Sequence, residues 1–190
     1  MLFRSSRGRF EARIRELTEG HAMLETVIGA MLQARAALWR EFTRLHREML
    51  RISRADPVCQ RLMTAPGVGT LVALTYRSAV DDPGRFGKSR MVGAYFGLTP
   101  KKYQSGETDI DGGISKTGDG MVRTALYEAA HIVLTRASRF SVLKRWAMDV
   151  AKRRGMKRAK VALARKLAAV LHRMWVDASA FRWGKEAAAA

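Results

Sequence analysis

The chain has a single cysteine, Cys59, in 190 residues. One cysteine excludes a disulfide framework and a cysteine-based metal site, and it fits a reducing, cytoplasmic setting. Cys59 itself reads as a small buried apolar residue. No apolar run reaches the ~18 residues of a membrane-spanning helix, and the basic residues are spread along the chain instead of gathered on one amphipathic segment, so no membrane partner is expected. The amino-terminal stretch MLFRSSRGRF has too short an apolar region for a secretory signal. Acidic residues are scarce: 17 Asp and Glu stand against 35 Lys and Arg, for a net charge of +18. A surface of that sign binds polyanions, and nucleic acid is the leading partner. Hydrophobic residues make up 47%, enough for a folded core.

From Phe10 to Ile52 the positions Phe10, Ile14, Leu17, His21, Leu24, Ile28, Met31, Arg35, Leu38, Phe42, Leu45, Met49 and Ile52 alternate by four and three. A 3.5-residue period held over this distance is the pattern of a coiled coil. The expectation is one long helix, about 65 Å at ~1.5 Å per residue, that dimerises or forms an antiparallel hairpin with a partner segment. His21 and Arg35 interrupt the seam as polar residues that set register or oligomer state, and Gly20 and Gly29 weaken its first half.

Asp56-Pro57 ends this helix, since proline disfavours helical geometry before it and suits the first turn of the next helix. The boundaries are therefore 1–55 for the coiled-coil helix, 56–178 for a compact helical domain and 179–190 for a frayed tail. The fold class is mainly α. Within the domain, residues 58–80 read as a short helix, the turn Pro66-Gly67-Val68-Gly69 and a second helix. This resembles a helix-hairpin-helix module, in which Gly67 and Gly69 let backbone amides approach a DNA phosphate; an ordinary turn is the alternative. A short helix is expected around Ser89 to Phe96, and a small hairpin around Ser105-Gly106. Asp119 is an N-cap for a helix over Met121 to Arg136, whose apolar face is Val122, Leu126, Ala129, Ala130 and Val133. His131 on that helix reads as a satisfied, half-buried residue. Over Ser141 to Lys152, Val142, Trp146 and Val150 form the expected core stripe.

Between Val150 and Val176 there is no acidic residue but nine basic ones, among them Arg153, Arg154, Lys157 and Lys160. Beside the apolar stripe Val161, Ala164, Leu167, Ala168, Leu171 and Trp175, this reads as a helix packed on one side and facing phosphate on the other.

The stretch GLTPKKYQSGETDIDGGISKTGDGMVRTAL, Gly97 to Leu126, carries the candidate chemistry. Ser115 sits among Gly112, Gly113 and Gly118, with Lys101, Lys102 and Lys116 to either side and a helix carrying Arg123 starting just downstream. A hydroxyl on a glycine-rich basic loop before a helix is suited to a phosphodiester; a serine serving only as a turn or cap residue is the alternative.

The PGVG turn, the segment GAYFGLTPKKYQSGE, the block ISKTGDGMVRTALYEAA and the basic ending VALARKLAAVLHRMW together resemble the carboxy-terminal transposase domain of the IS-one-ten family of bacterial insertion-sequence transposases, the bridge-RNA-guided serine recombinases. The resemblance covers residues 58–176, and the upstream helix is similar to that family's dimerising coiled coil. It implies that Ser115 is the nucleophile toward DNA, with Lys116 and Arg123 stabilising charge on the phosphoryl oxygens. It further implies DNA and a guide (bridge) RNA as partners, a homodimer or higher oligomer, and a bacterial cytoplasmic, nucleoid-associated location. Family members also carry a RuvC-type domain whose acidic residues bind divalent metal. This chain holds no expected metal ligands or cofactor of its own, so Mg²⁺ is expected only with such a partner domain, and activity is expected to need that domain. The reading from another class is a non-catalytic nucleic-acid-binding and dimerisation module.

Overall fold

A computed structural model describes residues 7–105 and 108–184. The chain divides into two compact units, Met1–Met49 and Leu50–Ala190.

The first unit contains α1 (Arg7–Thr18) and most of α2 (Ala22–Ala55). The long seam is not one helix. It breaks at residues 19–21, where Gly20 takes the left-handed φ of +83° that costs glycine little and other residues much. The Gly20 N–H donates to the Glu25 carboxylate at 2.9 Å, and the His21 N–H donates to the Thr18 carbonyl at 3.1 Å. Beyond the break α1 returns along α2. The Arg35 guanidinium pairs with Glu11 at 2.5 Å and lies 5.0 Å over the Phe10 ring. Both polar interruptions of the seam are thereby accounted for, His21 by the turn and Arg35 by its partner on α1. Leu32 is buried in this unit, while the seam residues Leu24, Met31, Leu38, Phe42 and Leu45 remain exposed.

The second unit is built around α8 (Met156–Val176), which packs against α3 (Pro57–Leu62), α5 (Met91–Tyr95), α6 (Gly120–Thr135) and α7 (Val142–Arg154). Its stripe Ala159, Leu163, Leu167, Leu171 and Met174 recurs at helical spacing and is buried. Ala164 and Ala168 let neighbours approach closely, and the buried Tyr76 hydroxyl of α4 (Thr70–Val80) donates to the Ala168 carbonyl at 2.7 Å. Burial pushes the Tyr76 phenol up in pKa, which keeps it a donor. Capping follows the sequence. Asp56 accepts from the Val58 N–H, Asp119 from Met121 and Val122, and Ser141 from Lys144.

The α6 face of Val122, Leu126, Ala129, Ala130 and Val133 is buried as expected. The α7 stripe is displaced by one residue: Leu143 and Ala147 are buried, whereas Val142 is exposed. Ser141 fixes where the helix starts, and the turn so defined aims Leu143 at the core. The strands β1 (Pro100–Ser105) and β2 (Thr108–Ile114) form an antiparallel hairpin, pairing Ser105 with Thr108 and Pro100 with Ile114. It is longer than the sequence suggests; its turn residues Gly106 and Glu107 and the side chain of Lys102 lie outside the described ones. Among the described residues no helix is long and apolar enough to cross a membrane.

His172 was not singled out by the sequence. Buried on α8, it has Nε2 2.9 Å from the Pro83 carbonyl and Nδ1 2.9 Å from the Ser89 hydroxyl. Nε2 therefore donates and Nδ1 accepts, which pins the loop before α5 to the central helix.

Candidate functional site: the serine loop and a basic cleft

Ser115 follows β2 directly and is half-buried. Its N–H donates to the Thr99 carbonyl at 2.9 Å, and the next N–H, from Lys116, donates to the Gly97 carbonyl at 3.1 Å. The loop is thus laid against the end of α5 and the start of β1. Lys116 holds a left-handed φ of +58°, a conformation that costs a non-glycine residue about 1–2 kcal/mol. Two glycines make the contact possible. A Cβ on Gly97 would stand 2.2 Å from the Thr117 carbonyl oxygen, and one on Gly118 would stand 2.2 Å from the Tyr95 carbonyl oxygen.

Arg123 reaches back from the first turn of α6 into this loop. Its Nη1 donates to the carbonyls of Phe96 at 3.3 Å, Thr117 at 3.0 Å and Gly118 at 2.9 Å. The sequence suggested a phosphate ligand at this position; the geometry gives the guanidinium a backbone-organising task. The Ser115 hydroxyl takes part in no hydrogen bond among the described residues. No group of three or more His, Cys, Asp and Glu side chains there could hold a metal ion.

A cleft of about 790 Å³ opens beside the loop. Leu98, Pro100, Gly112, Gly113 and Ile114 form its hairpin side, and Val150, Arg154, Lys157, Arg158, Val161, Ala162 and Arg165 its helical side. A second cavity of about 600 Å³ shares Ala162 and Arg165 with the first and adds Arg90, Thr99, Trp146 and Lys166. Lys166 Nζ lies 4.2 Å from the Trp146 ring centroid, a cation–π distance. Arg165 crosses α5 at Gly93, where a Cβ would stand 2.7 Å from its Cγ. The glycine gives the arginine stem its passage.

The structure sorts the other sequence candidates. Arg154 and Lys157 line the cleft, joined by Arg158 and Arg165, two more of the nine basic residues of that run. Arg158, Val161, Ala162 and Arg165 follow a helical three-and-four spacing, which sets them apart from the rest of the run on one face of α8. Arg153 instead donates to the Asp149 carbonyl at 3.2 Å, and Lys160 Nζ lies 5.8 Å from the Tyr127 ring centroid. Lys101 and Lys116 are exposed. Gly67, with φ of +77°, is a packing residue, because a Cβ there would stand 2.4 Å from the Ala129 carbonyl oxygen. Gly69 is exposed at the start of α4, gives no side-chain cap, and has open space where a Cβ would be. His131 is half-buried with Nδ1 unpartnered, so it is less fully satisfied than the sequence suggested.

Residues 59–147 match the model of the transposase IS116/IS110/IS902 family. This part of the chain belongs to that family. The match includes the PGVG turn, the serine loop and the start of α7. The chain is 36% identical over 138 residues to a transposase for insertion sequence element IS1111A of Coxiella burnetii, covering 72% of this chain and 38% of that protein. It is 32% identical over 134 residues to a transposase for insertion sequence element IS1328 of Yersinia enterocolitica, covering 70% of this chain and 40% of the relative. The chain thus spans about two fifths of the length of the curated relatives it matches.

Proposed function

We propose that this chain is the DNA-binding, carboxy-terminal part of an insertion-sequence transposase, with Ser115 as the nucleophile toward a DNA phosphodiester. One observation carries the reading. The serine stands on a loop fixed by Gly97, Gly118 and Arg123 and follows Ile114, which lines a cleft bearing four cationic side chains. A fixed hydroxyl beside cationic side chains suits phosphoryl chemistry, where positioning and electrostatic stabilisation supply most of the rate.

In the proposed step the Ser115 oxygen forms a bond to phosphorus and a DNA hydroxyl leaves. The phosphodiester energy is kept in the serine linkage for rejoining. The serine proton must pass to a base, and no described residue hydrogen-bonds the hydroxyl to act as one. A partner domain of RuvC type, with Mg²⁺ held by its own acidic residues, is therefore part of the proposal. Guide RNA, assembly into dimers or larger oligomers through α2, and a nucleoid-associated cytoplasmic location belong to the same reading. Lys101, Lys102, Lys116, Arg154 and Lys157 are the proposed DNA contacts near the site, with the exposed start of α4 at Gly69 as a second point of phosphate contact.

The unpartnered Ser115 hydroxyl also favours a second reading, a nucleic-acid-binding module that performs no chemistry on its own. One experiment separates the two. The chain is mixed with the metal-binding domain of a relative, guide RNA, Mg²⁺ and DNA, and covalent protein–DNA adduct is measured. Adduct that disappears in Ser115→Ala supports the first reading. Adduct undiminished in that variant removes Ser115 as the nucleophile, and no adduct with binding intact leaves the binding module.

A further inference from the structure

We infer that the cleft beside the serine loop is a site for an unpaired nucleotide of a DNA strand, so that the chain engages locally unwound DNA there and not intact duplex. The inference rests on the proposal that the substrate is DNA. The floor of the cleft is aliphatic, formed by Leu98 and Ile114 from the hairpin side and Val150 and Val161 from the helices, while Arg154, Lys157, Arg158 and Arg165 supply cations. None of those four cations is ion-paired with a described carboxylate.

Duplex DNA presents stacked pairs behind two phosphate ridges, and its grooves show base edges and thymine methyls but never the flat face of a base. An unpaired nucleotide offers both matching parts, a base whose flat face leaves water against aliphatic side chains and phosphates on either side for the cations. A volume of about 790 Å³ falls among those of ordinary small-ligand sites. Gly113 lines the cleft without a side chain, and no atom lies within 4 Å of where its Cβ would be. Ile114 of the floor directly precedes Ser115, so a strand anchored by one base here has its neighbouring phosphates beside the serine loop.

The open space at Gly113 provides the test. Gly113→Leu adds a side chain at the cleft wall whose Cβ meets no atom within 4 Å, and it does not change charge. Binding of the full chain to a fluorescent single-stranded DNA, and to the duplex of the same sequence, is measured by anisotropy. The expected result is about a tenfold loss on the single strand, with duplex binding held within about twofold. The paired variant Arg158→Gln with Arg165→Gln gives a second measurement that does not depend on the glycine. It should lower the salt dependence on the single strand by about 1.4 in slope, as for two lost phosphate contacts. Unchanged single-strand binding in Gly113→Leu, equal losses on both DNAs, or an RNA of the same sequence displacing the DNA from the cleft would each overturn the inference alone. Failure of the wild-type chain to bind either DNA would overturn the DNA-binding proposal along with it.

Discussion

The Nη1 atom of Arg123 lies 2.9 Å from the carbonyl oxygen of Gly118, five residues earlier in the chain and on the far side of the turn that starts α6. The same nitrogen serves Thr117 and Phe96. One cation thus satisfies carbonyls from the serine loop and from the end of α5, two segments with no ladder between them. Hydrogen bonds to a charged donor contribute about 1.5–3 kcal/mol each when well formed, less here because Arg123 is only half-buried. Arg123→Ala should destabilise the second unit by about 2 kcal/mol in urea titration and abolish Ser115 adduct formation. Arg123→Lys should restore part of the stability but little of the adduct, because a lysine side chain ends about one bond short of Nη1 and carries its charge away from the three carbonyls.

Gly97 and Gly113 make a controlled pair. Both flank the loop, yet a Cβ at 97 would meet the Thr117 carbonyl oxygen at 2.2 Å and its nitrogen at 2.4 Å, whereas at 113 it meets nothing. Gly97 also has a φ of +66°. Gly97→Ala should cost at least about 2 kcal/mol from backbone strain and displacement of the loop, and Gly113→Ala should stay within about 0.5 kcal/mol of the wild type, as substitutions away from such features do. Chemical denaturation followed by circular dichroism measures both. Equal effects would mean that the loop yields and is not held against α5.

What could be read from the sequence follows from how local each determinant is. Asp56, Asp119 and Ser141 cap helices through their own turn, so their roles were legible or nearly so, and the α6 face followed from period alone. The break at Gly20 was a matter of degree. A glycine only weakens a helix, and the seam broke because Glu25 and Thr18 satisfied the freed backbone and Arg35 found Glu11. The cleft was not legible, since it depends on α8 meeting the hairpin. Gly67 misled because its closest neighbour, Ala129, lies in a helix far away in sequence.

Cys59 gives a pH-dependent prediction. It is buried, and burial, with the neighbouring Asp56 carboxylate, pushes its thiol up from 9.0 to about 12. The folded thiol stays protonated where the unfolded one ionises, so the contribution is intact below about pH 9 and stability falls as pH rises from there toward about 12. At pH 8 iodoacetamide should modify Cys59 only at the rate at which the fold opens, since the thiolate is the nucleophile. Modification as fast as in urea would contradict the burial.

The exposed seam of α2 leads to the last prediction. Leu38 is 72% exposed and Phe42 57%, on the side of the helix that keeps a 3.5-residue period although α1 turns away at Gly20. A row of large apolar side chains in water is the surface that a second helix covers in a coiled coil. If α2 assembles as proposed, Leu38→Glu with Phe42→Glu should convert an oligomer to monomer in light scattering. Neither side chain belongs to the core of the second unit, so the thermal unfolding of that unit should not change. Arg35→Ala should do the reverse: it removes the tie to Glu11 and Phe10 within one chain, frees α1, and leaves the α2 seam and its assembly in place. A wild-type chain that is monomeric at all concentrations would reject assembly through α2 and leave the apolar row without a partner.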